Sequence, residues 1–69
     1  MDKLSQEYIL TTSFSSALDM EELLIRKCNH YADELKDENL INLIMDMKKE
    51  CQEHIKIMKD KMIKLNIKV

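Results

Sequence analysis

Three residues able to bind a metal or pass a proton fall on helical spacing in this chain: Glu21, Cys51 and His54. Cys51 and His54 are three positions apart, which sets two side chains on one face of a helix. A sulfur and an imidazole nitrogen so placed suit zinc, and a Glu21 carboxylate would add an oxygen. Glu50, four residues before His54, is a second carboxylate on that face. The plainer chemistry is a hydrogen bond between Glu21 and His54, with Cys51 as a small apolar filler. That arrangement needs no cofactor and is the expected one. A zinc or iron held by Glu21, Cys51, His54 and Glu50 is the alternative. A nucleophilic cysteine would need a base, oxyanion donors and a pocket, which a helix seam does not offer. An enzyme is therefore not the expected reading. His30 falls about half a turn from Cys28 around its helix and is given no role.

These residues need helices to bring them together. In the second half, Leu40, Ile44, Met47, Cys51, His54, Met58 and Leu65 step by threes and fours with one longer step, and Leu43, Ile55 and Met62 widen the stripe. The pattern predicts an amphipathic helix over about 39–65, facing a bundle core. Asp37 is its expected N-cap, Glu38 complements the helix dipole, and the lysines at 56, 59, 61 and 64 suit its C-terminal end. The tail Asn66–Val69 is expected to fray. In the first half, Leu18, Ile25 and Ala32 alternate with Phe14, Glu21, Cys28 and Leu35 on a heptad. The hydroxyl run Thr11–Ser16 weakens a helix there. Leu4, Tyr8, Thr11, Phe14 and Leu18 nevertheless keep the helical step, which favours one helix over about 3–35 to a break near Ser13.

A turn at about 36–38 makes the two helices antiparallel neighbours. Counting from the turn sets Leu35 against Leu40, Cys28 against Met47, Ile25 against Cys51, Glu21 against His54, and Leu18 against Met58. Asp2, Glu7, Asp19, Glu21 and Glu22 then lie near the open end, where the lysine-rich end of the second helix returns. Residues 1–69 form one all-α domain, an antiparallel helical hairpin. Two helices enclose no interior, and a hairpin of this size is marginal alone. The chain is therefore expected to pair as a homodimer, making a four-helix bundle.

Composition narrows the remaining choices. The 69 residues include no Gly and no Pro, which excludes glycine-rich phosphate loops. A formal net charge of −2 gives no basic excess to drive nucleic-acid binding. No apolar run is long enough to span a membrane, and the N-terminus lacks a signal-peptide pattern. The expected location is cytoplasmic, with Cys28 and Cys51 reduced and unbridged. The methionines at 45, 47, 58 and 62 read as core fillers, with Met45 peripheral.

The runs Glu21-Glu22-Leu23-Leu24 and Tyr31-Ala32-Asp33-Glu34-Leu35, followed by Leu40, Leu43, Ile44, Glu50 and His54, resemble half of a ferritin-like bundle. That superfamily pairs a first-helix glutamate with Glu-x-x-His on the second helix. Here the second motif reads Cys51-Gln52-Glu53-His54, and Glu21 is the nearest match to the first-helix acid. Cys51 therefore stands where the resemblance places a bridging glutamate. Within the superfamily the chain is similar, over about 18–62, to small spore coat proteins, which have commonly lost their metal ligands and serve structural roles. The resemblance implies a non-enzymatic, self-associating helical protein with a structural or protein-interaction role in a spore-related assembly. Two alternatives stand beside it: a small metal-binding ferritin-like protein using the Glu/Cys/His cluster, and a regulatory adaptor whose Tyr8–Ser16 segment binds a partner protein.

Overall fold

The structure, a computed structural model, describes residues 3–67, with side chains from Ser5 onward. Asp2, Lys68, Val69 and the side chain of Leu4, to which the sequence reading gave places, lie outside the described residues. The chain forms two helices packed against each other, α1 (Lys3–Glu34) and α2 (Glu38–Lys64). They lie side by side in an envelope of 53 × 17 × 15 Å. α1 runs unbroken through Thr11–Ser16. Thr11, Phe14, Ser15, Ala17 and Leu18 are half-buried there, so packing against α2 offsets the weak helical preference of the hydroxyl residues.

Three residues, Leu35 to Asp37, join the helices. Asp37 leaves helical geometry at φ −74° and ψ 117°, and its side chain accepts from the backbone N–H groups of Asn39 (2.9 Å) and Leu40 (3.2 Å). Those donors have no partner within the helix, so the carboxylate caps them and favours the positive end of the dipole. Lys61 and Lys64 occupy the last turn of α2, where cations are favoured.

The far end of α2 is closed rather than frayed, a correction to the sequence reading at Asn66 and Ile67. Asn66 adopts a left-handed φ of 56°. Its N–H donates to Ile63 O at 3.1 Å, and the Ile67 N–H donates to Met62 O at 2.8 Å. This pair of bonds is a Schellman cap, with Asn in the position that tolerates positive φ. Ile67 and Met62 also line one groove at this end, as the apolar contact of such a cap requires.

Burial marks the seam. The seam positions withdrawn from solvent are Thr11, Phe14, Leu18, Glu21, Ile25, Cys28 and Ala32 on α1 and Leu35 just beyond its end, steps of three and four, with Ser15 and Ala17 half-buried beside them. On α2 they are Ile41, Ile44, Lys48, Cys51, Ile55, Met58 and Met62. The second stripe corrects the sequence reading. Leu40, Met47, His54 and Leu65 are exposed, as is Leu43, and the seam runs one residue later through Ile41, Lys48 and Ile55. Only Cys28, Cys51 and Met62 are buried among the described residues. The seam of a lone hairpin is thus half open.

In an antiparallel pair, the residues just before each seam position share one side of the hairpin, and those just after share the other. The two sides differ sharply here. The preceding flank carries Leu10, Met20, Leu24 and Tyr31 from α1 and Leu40, Leu43, Met47 and Ile57 from α2, all exposed, together with Lys27, Glu34, Glu50, His54 and Lys61. The following flank carries Asp19, Glu22, Arg26, Asn29 and Asp33 facing Lys49, Gln52, Lys56 and Lys59, with Met45 and Ile63 as its large apolar residues on α2. One side therefore gathers most of the large exposed apolar side chains, with charged residues among them, and the other is a solvated charged surface.

Candidate functional site

Glu21 is a seam residue at mid-length of α1. His54 sits one position before the seam residue Ile55, on the apolar flank. The hairpin brings them together: Glu21 Oε1 lies 3.2 Å from His54 Nδ1. An ionised carboxylate has no proton to give, so Nδ1 donates and Glu21 accepts. Burial is unequal, with the Glu21 side chain 21% exposed and that of His54 57% exposed. His54 therefore belongs to the surface and not to the core position expected for it.

The other oxygen of the carboxylate, Glu21 Oε2, is fully buried and has no hydrogen-bond partner among the described residues. The Cys51 thiol lies close to the same carboxylate and is pushed up to about 11 by burial first, then by a hydrogen bond to Glu21 and by the Glu21 charge. Burial at Cys51 is shallow, since a layer one hairpin thick excludes water from the sulfur but surrounds it with little protein. Cys51, Glu21 and His54 thus form a chain running from the seam outward to the flank.

Cys28 is buried and both cysteines are free. Glu50 is exposed on the same flank as His54, one turn earlier on α2. His30 is exposed, as the sequence reading had it, and pairs with Glu34 at 3.2 Å on the surface of α1. Among the described residues, no group of three or more His, Cys, Asp or Glu side chains gathers within one chain so as to hold a metal ion. Cys51 offers a soft sulfur in place of the hard oxygen that bridges a carboxylate-held pair of irons.

Lys48 was missing from the sequence reading. It is half-buried in the seam, level with Cys28, where a lysine lays its stem along apolar surface and carries its ammonium out to water. The signal available was its place at the three-and-four step between Ile44 and Cys51. A separate open groove of about 620 Å³ lies at the open end on the charged flank. Its floor is Leu18, Met62 and Ile67, and Asp19, Glu22 and Lys59 stand at its rim. Neither Glu21 nor His54 lines it.

No described helix is long and apolar enough to cross a membrane. Comparison of the chain with protein-family models, with curated proteins and with solved structures finds no match.

Proposed function

We propose that this chain is a non-enzymatic helical hairpin that pairs with a second copy through its apolar flank, forming a four-helix bundle with a structural or protein-interaction role. The carrying observation is the exposed apolar surface. The chain exposes 5742 Å². A compact chain of 8.2 kDa is expected to expose about 4,500 Å². The excess, about 1,200 Å² of polar and apolar surface together, follows from the elongated shape of an unpartnered hairpin. Eight of the fourteen large apolar side chains exposed among the described residues lie on one flank. Large apolar side chains gathered on one side in this way mark surfaces that are covered in the working protein.

A second copy fits this flank better than an unrelated partner does. The flank is matched by itself: Leu40, Leu43, Met47 and Ile57 of one copy meet an equally apolar surface on the other, as a two-fold interface requires. The charged flanks stay in water on both outer sides. A packed unit of this kind suits a structural role such as the resemblance to small spore coat proteins implies. Sedimentation equilibrium on the wild-type chain and on Leu43→Lys/Met47→Lys tests the reading. The wild type is expected to sediment as a dimer and the double variant as a monomer. A wild type that stays monomeric, or a double variant that still pairs, overturns it.

One observation favours the adaptor reading in second place. Tyr8 is 72% exposed and Ile9 stands beside it, also exposed, both off the dimer flank on the N-terminal turns of α1. Pull-downs with the full chain and with Tyr8→Ala/Ile9→Ala separate this role from self-association.

A further inference from the structure

We propose that His54 and Glu50 of two chains together form a zinc site on the two-fold axis of the dimer, with Glu21 of each chain holding its own His54 in place. The inference rests on the dimer reading and assigns a ligand to its interface. Three features of the hairpin carry it.

The first is the orientation of the imidazole. Glu21 engages Nδ1, so in the neutral ring the lone pair sits on Nε2. No other described group engages His54, and more than half of its side chain is exposed on the flank. A histidine whose one nitrogen is held by a carboxylate while the other is free has the arrangement found behind metal-bound histidines. Glu21 therefore acts as a positioning residue and not as a ligand.

The second is place. The described hairpin runs from the turn at Asp37 to the open end, and His54, Glu50 and Glu21 all lie near its mid-length. Two flanks stacked about a two-fold axis with full overlap set the middle of one copy against the middle of the other. His54 and Glu50 of both chains then converge. Around them the flank carries Met20, Leu24, Met47 and Ile57, with Lys27 also on it, all exposed in the lone hairpin. Without a ligand, two imidazoles and two carboxylates would be shut into a greasy interface, which is costly.

The third is the donor set. Two imidazole nitrogens and two carboxylate oxygens make four ligands, the number a tetrahedral zinc takes. One chain supplies two of the four, and the second copy supplies the other two. Cys51 is excluded from the set. It is buried in the seam behind Glu21, while the proposed ligands stand on the flank.

The test uses the full chain, zinc ion and cobalt ion as its spectroscopic substitute. Equilibrium dialysis with metal analysis is run alongside the molar mass in solution. One zinc per two chains is expected, retained in Cys51→Ala and lost in His54→Ala and Glu50→Gln. Glu21→Gln is expected to keep the dimer and weaken zinc about 10- to 100-fold, the usual effect of losing a histidine's supporting carboxylate. Cobalt is expected to give tetrahedral d–d bands without thiolate charge transfer. Because His54 and Glu50 are exposed, circular dichroism should show both variants folded. A dimer that binds no zinc overturns the site and leaves the dimer standing. Zinc lost in Cys51→Ala, or kept in Glu50→Gln, overturns the ligand assignment. A chain monomeric with and without zinc overturns the dimer reading, and the site with it.

Discussion

Glu21 and His54 join two different surfaces of the hairpin: a carboxylate rooted in the seam of α1 accepts, at 3.2 Å, from an imidazole standing on the apolar flank of α2. The bond ties the helices together at mid-length. It also explains how an acid persists at a seam position. One oxygen reaches out to a partly solvated donor, and only the other is buried. A single carboxylate thus links packing to the surface where a partner docks.

Glu21 should be retained for something other than stability. Replacing both members of a buried polar pair by apolar groups is often stabilising, and removing one costs most when the other is left buried. Here the partner left behind, His54, is exposed to water. Glu21→Leu is expected to raise the unfolding free energy by about 1–2 kcal/mol, read from urea denaturation at fixed chain concentration. A decrease would mean that the Glu21–His54 bond outweighs the apolar packing at that position.

Cys51 should be inert in the folded chain. With its thiol pushed up to about 11, the thiolate at pH 8 is about a thousandth of the population, against about a tenth for a thiol at the ordinary 9.0. Alkylation of Cys51 in the native protein is expected to run about a hundredfold slower than in the unfolded chain. The same shift has a stability consequence. The folded pKa lies above the unfolded one, so the protonated thiol favours folding at pH below 9. That contribution falls away as pH rises from 9 through about 11. Cys51→Ala should remove this part of the alkaline loss of stability. Denaturation midpoints of both proteins at pH 8 and pH 10.5 check it, and parallel losses would contradict it.

The helix ends carry measurable stability. Asp37→Ala removes the acceptor for Asn39 and Leu40 N–H and is expected to cost about 1 kcal/mol, while Asp37→Asn stays close to wild type. Asn66→Gly relieves the left-handed φ of 56° and is expected to stabilise by up to about 1 kcal/mol. Urea midpoints of the three variants check both ends, and a destabilised Asn66→Gly would show that the cap is not populated in solution.

The seam of α1 was legible because its heptad is the more continuous of two. Leu18, Ile25 and Ala32, alternating with Phe14, Glu21, Cys28 and Leu35, compete with Leu10, Ala17, Met20, Leu24 and Tyr31 one residue earlier, but Ser13, Lys27 and Glu34 interrupt that stripe, and burial falls on the former. α2 was harder to phase. Leu40/Ile41, Leu43/Ile44 and His54/Ile55 put two stripes one residue apart, and Lys48 interrupts the one that packs. The rival stripe, with Met47 in place of Lys48, reads as the smoother of the two by hydrophobicity. That choice moved His54 from flank to seam. The pairing of Glu21 with His54 survived, because a shift of one residue is less than the reach of these side chains. The Schellman cap went unread for a different reason. Its signal is Asn followed by an apolar residue after the last turn, and at a chain end that pattern resembles a frayed tail.

The central claim, that the apolar flank is covered by a second copy, is tested most directly by the molar mass of the wild-type chain. Multi-angle light scattering at micromolar concentration, with circular dichroism on the same sample, gives mass and helicity together. The expected result is a helical species at twice the 8.2 kDa chain mass. A fully helical, cooperatively unfolding species at the mass of one chain would contradict it.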